Sequence, residues 1–161
     1  MIADHRTLEA REYLETCRKL PAFRPFLLDI YRAHIALAEY DEQAADAILA
    51  EGMRRYPDDA GFLFEAAQYH ARKCEYAQAI ECYEASYASE ASCKPRYMDV
   101  LQGIAVIQEI QGEYGKAART WERILENLED EWGLTEEAAL QDAIQERNRL
   151  LQRSSGLQEE P

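Results

Sequence analysis

Small residues recur along this chain at nearly regular intervals, and this pattern constrains the fold more than any other feature. The first set consists of Ala10, Ala45, Ala79 and Ala117, with spacings of 35, 34 and 38 residues. A larger or aromatic side chain follows each of them after four residues, and a second alanine precedes the last three by twelve. Such a period, close to 34 residues, is the signature of helical repeats that bury their apolar faces against their neighbours. The residues in step are Leu14, Leu49, Tyr83 and Trp121 after the alanines, and Ala33, Ala67 and Ala105 before them.

Helical periodicity surrounds each member of the first set, and partner segments with the same periodicity precede the last three. The small residue lets a neighbouring helix approach closely, and the larger residue one turn later fills the space beside it. We therefore predict an all-α fold of antiparallel helix pairs. The predicted helices span residues 6–20, 26–39, 43–55, 60–73, 77–90, 97–111, 115–128 and 135–152.

Turn and capping residues support these boundaries. Pro57-Asp58-Asp59 ends one helix and offers an aspartate as the N-cap of the next, and Thr135 is suited to cap the last helix. Gly112 suits a left-handed C-cap, whereas the two corresponding earlier turns lack glycine. We expect the last helix to close the fold by docking on the preceding repeat through Leu140, Ile144 and Leu151.

Charge and cysteine content limit the partners and the environment. The chain has 31 acidic and 18 basic side chains, a net charge of −13, so its surface repels phosphate backbones and accommodates a basic or neutral partner more easily. The four cysteines show no paired spacing, which favours reduced thiols and a cytoplasmic location. We expect no signal peptide, no membrane span and no nucleic-acid partner.

No motif in the sequence predicts catalysis, metal binding or cofactor binding. His70 and Cys74 lie four residues apart on one helix, but no second histidine or cysteine pair accompanies them, so we expect packing roles and no bound metal. The acidic residues near position 129 lack the ligand spacing of a calcium loop. Phosphate-binding loops, nucleophile elbows and zinc-protease motifs are absent from the sequence. We therefore expect no enzyme activity and no cofactor.

The chain resembles the tetratricopeptide repeat family. The resemblance rests on Gly112-Glu113-Tyr114-Gly115-Lys116-Ala117, on Glu75-Tyr76-Ala77-Gln78-Ala79-Ile80, and on the proline of Tyr56-Pro57-Asp58 at a repeat end. Departures are Tyr40 and Cys74 where the family favours glycine, His70 and Gln108 where it favours a large aromatic residue, and Asp29 where it favours a large apolar one. The resemblance implies a right-handed solenoid of three repeats, at 26–59, 60–95 and 97–130. A half-repeat helix precedes them, and a capping helix at about 135–152 completes a domain over residues 1–153. From its Ser, Gly and Glu content, we expect the tail 154–161 to be disordered.

By the same resemblance, the first helices of the repeats line a concave face on which partners bind. The family members that bind chaperone tails carry lysine and asparagine there, which this chain lacks, so an acidic tail is disfavoured. The apolar residues instead favour a groove for an apolar or amphipathic helix, unless the N-terminal helix or a second copy of the chain covers them. The predicted groove residues are Leu27, Ile30, His34, Leu37, Phe64, Gln68, Arg72, Gln102, Val106 and Ile110.

Two functions follow from this interpretation. The first is a non-catalytic interaction scaffold that binds an apolar or amphipathic peptide or helix. The alternative is a regulatory or sensing module cut from a larger bacterial protein, such as a helix-turn-helix transcription regulator, because the N-terminal helix matches the second helix of a repeat and its first helix is missing. Self-association stays open in either case.

Overall fold

The computed structural model of the chain describes residues 5–21, 23–89, 94–132 and 138–156. The described residues form eight α-helices and no strand, which confirms the all-α prediction. Close contacts divide the chain into two compact units: the N-terminal unit, Met1–Ala91, and the C-terminal unit, Ser92–Pro161. The helices are α1 His5–Cys17, α2 Pro25–Ala38, α3 Glu42–Arg55, α4 Ala60–Arg72, α5 Tyr76–Ala88, α6 Lys94–Ile110, α7 Tyr114–Trp132 and α8 Ala138–Gly156.

Local signals in the sequence explain where the helices begin. Pro25 occupies the first turn of α2, where a missing backbone N–H has no consequence. Asp41 accepts a hydrogen bond from the backbone N–H of Ala44 at the start of α3, and Asp59 accepts one from Phe62 at the start of α4. The predicted N-cap Thr135 lies outside the described residues.

In the N-terminal unit, α2 packs against α1, α3 and α4, and α4 packs against α3 and α5. An aromatic cluster of Phe26, Tyr56 and Phe62, with ring centroids 5.5 to 6.4 Å apart, joins α2, α4 and the end of α3. Ala33, Ala45, Ala67 and Ala79 are all fully buried. The burial predicted for these four alanines is therefore confirmed, whereas Ala10 of the same set is half-buried.

In the C-terminal unit, α7 packs against both α6 and α8. Ala105 and Ala117 are buried here, as predicted. The last helix differs from the prediction in two ways. It docks through Leu140, Ala143 and Leu150, whereas the predicted Leu151 is 43% exposed and Ile144 is half-buried. It also continues through residues 154–156, which were predicted to be disordered, and Ser155 donates a hydrogen bond to the carbonyl of Leu151 within it.

Three helical hairpins, α2–α3, α4–α5 and α6–α7, share one turn geometry. In each turn a residue with positive φ follows the first helix, and the next residue donates its backbone N–H to the carbonyl five residues earlier, the Schellman pattern. The three N–H to carbonyl pairs are Asp41 to Ala36, Glu75 to His70 and Glu113 to Gln108, at 2.8 to 2.9 Å. The left-handed residues are Tyr40, Cys74 and Gly112, with φ of 60°, 59° and 75°.

The non-glycine residues in two of these turns give a testable stability difference. A left-handed backbone costs an L-residue with a Cβ roughly 1–2 kcal/mol, and glycine avoids most of this cost. We expect Tyr40→Gly to raise the free energy of unfolding by about 1 kcal/mol, since the Tyr40 side chain is 91% exposed and loses little packing. Chemical denaturation followed by circular dichroism measures the change.

Gly112→Ala is the matched control, because an added Cβ there would meet no atom within 4 Å. Its only cost is that of holding a residue with a Cβ in the left-handed conformation. It is expected to destabilise the chain by about 1 kcal/mol. A loss of stability in Tyr40→Gly would contradict the assignment of strain to this turn.

Candidate functional site

An apolar groove lies between α1 and α2 in the N-terminal unit. It encloses about 770 Å³, a volume within the range of ligand and peptide sites. We call it the α1–α2 groove. Its lining consists of Arg6, Thr7, Ala10, Tyr13, Leu14, Cys17, Leu20, Phe23, Leu27, Tyr31, His34, Ile35 and Ala38.

The groove exists because α1 contacts α2 along a narrow edge. Of the α1 side chains described, only Thr7 and Leu14 are buried, and the small Ala10 beside them leaves space uncovered. Three large side chains of the lining are strongly exposed: Tyr13 at 72%, Leu20 at 59% and Tyr31 at 47%. Exposed apolar surface gathered in a concave site is typical of an interaction surface, whereas single exposed apolar residues are ordinary.

His34 contributes an imidazole to the α2 wall of the groove. The Nδ1 atom of His34 lies 3.4 Å from the Nη1 atom of Arg72 on α4, and its ring lies 5.7 Å from that of Tyr69. Burial, together with the positive charge of Arg72, holds the pKa of His34 below its ordinary value. The imidazole is therefore neutral at neutral pH and adds no charge to the groove.

Some of the groove residues predicted on α2 and α4 lie at the α1–α2 groove, and others do not. Leu27 and His34 line the α1–α2 groove, and Arg72 of α4 reaches it through His34. Ile30, in contrast, is only 1% exposed, so it is a core residue and cannot contact a partner. Leu37 is half-buried and does not line the groove. Tyr31 therefore lines the groove beside Leu27 and His34, in place of the predicted Ile30 and Leu37.

On α4, Phe64 contributes to packing within the α4–α5 hairpin. Its ring centroid lies 5.8 Å from that of the buried Tyr83, and the side chain is half-buried. Gln68 is also half-buried, and neither residue lines the α1–α2 groove. Replacing Phe64 would therefore change stability as well as any binding, so it is a poor test of a partner site.

The remaining predicted residues lie on α6, in the C-terminal unit. Val106 is 54% exposed and Ile110 is 60% exposed, one helical turn apart, while Gln102 is half-buried. Two large apolar side chains thus share an exposed helix face. They are a separate surface feature from the α1–α2 groove.

The sequence interpretation missed the contribution of α1 and of the segment that follows it. Tyr13, Cys17, Leu20 and Phe23 line the groove, whereas α1 was predicted as a half-repeat helix or as a cover over the groove and none of its residues was predicted to line it. A signal was present, because Ala10, Tyr13 and Cys17 recur at helical spacing on one face. On α2, Leu27, Tyr31 and His34 have the same spacing.

Lys73 is the centre of a charged cluster elsewhere in the N-terminal unit. Its ammonium group lies 2.7 to 2.9 Å from carboxylates of Glu42, Asp46 and Glu75, and the hydroxyl of Tyr69 donates to Asp46 at 2.8 Å. Burial acts to lower the pKa of Lys73, but the hydrogen bonds to the three carboxylates outweigh it and hold the pKa above its ordinary value. The cluster therefore joins α3, α4 and the α4–α5 turn through a charged amine.

His70 and Cys74 do not form a paired site. The Nδ1 atom of His70 lies 2.7 Å from a carboxylate oxygen of Glu75, and Cys74 is the exposed left-handed residue of the turn. Within the ranges that the structure describes, histidine, cysteine and acidic side chains form no group of three that could hold a metal ion.

Comparisons with known proteins do not name a family. No protein-family model matches the chain, and a search of curated proteins found no significant match. Over the part of the chain that the structure covers, none of the helices is both long and apolar enough to cross a membrane.

Proposed function

We propose that this chain is a non-catalytic protein–protein interaction scaffold, and that it binds one apolar or amphipathic helical segment in the α1–α2 groove. The observation that carries the proposal is the groove itself, which gathers exposed Tyr13, Leu20 and Tyr31 around about 770 Å³ of apolar space. Tyrosine and leucine side chains of this kind bury large areas against a partner helix.

The overall architecture that we propose is a tetratricopeptide-like right-handed solenoid. Three hairpins with the same Schellman turn support it, as do the small residues buried in step along the sequence. In such proteins each repeat adds surface for a partner.

Net charge indicates the kind of segment that the groove accepts. The chain carries −13, so a helix with basic residues on its polar face is attracted, and one with acidic residues is repelled. Apolar contact supplies most of the affinity, and charge acts mainly on the association rate.

A direct test uses three synthetic 18-residue peptides: a Leu/Lys amphipathic helix, a scrambled peptide of the same composition, and a Leu/Glu amphipathic helix. We expect binding of the first alone, measured by fluorescence anisotropy. The scrambled peptide controls for attraction by charge without an apolar face. Equal binding of the first two peptides would contradict a shaped groove.

Leu20→Ser and Leu8→Ser provide a matched pair of variants. Both side chains are more than half exposed, at 59% and 51%, but only Leu20 lines the groove. Leu20→Ser should weaken binding of the Leu/Lys peptide by about tenfold, roughly 1.4 kcal/mol, because an apolar contact is lost. Leu8→Ser should leave binding within about twofold. Equal effects of the two variants would place the binding surface elsewhere.

A further inference from the structure

The contacts between α1 and α2 resemble those of a ligand helix on a binding surface. Arg11 forms an ion pair with Glu39, with its Nε atom 3.2 Å from Oε1, and one turn later Glu15 lies 3.3 Å from the guanidinium of Arg32. These contacts run in opposite order along the two helices, so α1 lies antiparallel to α2. Between them, Leu14 inserts its side chain and is 6% exposed.

Arg32 of α2 and Glu39 at its C-terminal end therefore fix how far along α2 a helix in the place of α1 can sit. Glu39 accepts a basic residue, and Arg32 accepts an acidic residue four positions later in the occupying helix. Thr7 adds a hydrogen bond to Glu39, and the ion pair with Arg11 holds the pKa of Glu39 below its ordinary value. In this way α2 combines apolar surface with two charges of opposite sign.

Few side chains of α1 are buried on this surface: among those described, only Thr7 and Leu14. The side chains of Arg11, Glu15 and Arg32 are each more than 40% exposed and Glu39 is 19% exposed, so salt screens the Glu15–Arg32 pair strongly and the Arg11–Glu39 pair less. Among the residues described after α1, Lys19 and Leu20 donate their backbone N–H groups to the carbonyls of Thr16 and Cys17, three residues earlier, and Pro21 follows. An element with few buried contacts opens at low free energy compared with the core.

We propose that α2 is the docking surface for a partner helix in the register of α1, and that α1 occupies this surface until the partner displaces it. The partner is an amphipathic helix with a basic residue, a leucine three positions later and an acidic residue next to it, as in Arg11, Leu14 and Glu15. This inference rests on the proposed function: the partner enters the α1–α2 groove and then takes the place of α1 against the α2 wall of that groove.

The test uses two labelled peptides based on residues 5–20, each with Cys17→Ser and Leu8→Lys, and with a lactam bridge between positions 8 and 12 to hold the helix. The first keeps Arg11 and Glu15, and the second carries Arg11→Glu and Glu15→Arg. Both are titrated against the full wild-type chain, the Arg11→Glu chain and the Arg11→Glu/Glu39→Arg chain. Circular dichroism first checks that the three chains are equally helical.

In the Arg11→Glu chain, two carboxylates face each other and α1 is loosened, while Glu39 stays available to the peptide. We expect the first peptide to bind this chain about tenfold more tightly than wild type, and the second peptide to gain nothing. The double variant restores the intramolecular pair with reversed charges, so it should cancel the gain. Hydrogen exchange of the wild-type chain should show loss of protection in α1 when the first peptide is bound.

Equal affinity of the first peptide for all three chains, or equal gain for both peptides, would overturn this inference. A stable dimer of the Arg11→Glu chain without peptide, measured by light scattering, would assign the surface to a second copy and also overturn it. If the Leu/Lys peptide still binds wild type and depends on Leu20, the proposed function stands although the register fails. If no peptide binds any chain, the proposed function itself is wrong.

Discussion

Replacing Leu150 with alanine is expected to lower the free energy of unfolding of the C-terminal unit by about 2–5 kcal/mol, the range for a fully buried leucine. Leu150 is 0% exposed and packs on Ala117 and Ala118, with Tyr114 and Trp121 against the same cluster. The two alanines are too short to fill the vacated space. Docking of α8 on α7 therefore depends strongly on this residue.

Trp fluorescence during chemical denaturation is a selective measurement, since both tryptophans, Trp121 and Trp132, belong to the C-terminal unit. Leu151→Ala is the control, because Leu151 is adjacent in sequence but 43% exposed. It is expected to change stability by less than about 0.5 kcal/mol. Similar losses in the two variants would mean that α8 docks by a different face.

Gly52→Ala is expected to destabilise the N-terminal unit by about 1–3 kcal/mol, although the same change in an exposed helix normally stabilises by up to about 1 kcal/mol. A Cβ on Gly52 would lie 2.6 Å from Cζ and 2.7 Å from Cε2 of Phe62. The Phe62 ring is fully buried and is held between Phe26 and Tyr56, so it cannot move aside freely.

A double-mutant cycle with Phe62→Leu tests this explanation. The smaller side chain should remove much of the clash, so the two changes together should be less harmful than the sum of their separate effects by about 1 kcal/mol. Ala50→Gly, at an exposed position of the same helix, should cost about 1 kcal/mol and show the ordinary helix preference. Additive effects in the cycle would contradict the contact between Gly52 and Phe62.

Local features of the sequence predicted the helices and their turns well. The all-α prediction is confirmed, and Asp59 caps α4 as expected, because a cap needs only the residues within one turn. The left-handed turn at Gly112 was also predicted. At Tyr40 and Cys74 the same backbone conformation occurs without glycine, because the hairpin fixes the turn against the local preference.

The α1–α2 groove overlaps the predicted partner-binding residues only in part. Leu27 and His34 do line a groove, but Ile30 is in the core and Phe64 packs on Tyr83. Residues on one helix face differ in exposure according to which neighbouring helix lies closest, and helical spacing carries no information about that distance. The contribution of Tyr13 and Leu20 was missed for the same reason.

The sequence by itself determined which segments are helical, where most turns fall and which small residues are buried, since these depend on periodicity and on contacts within a few residues. Only the tertiary structure decided that Leu150 and not Leu151 docks α8, that Phe62 fills the space above Gly52, and that α1 leaves a groove on α2. These outcomes depend on distances between helices, which are set by the packing of side chains that are far apart in sequence.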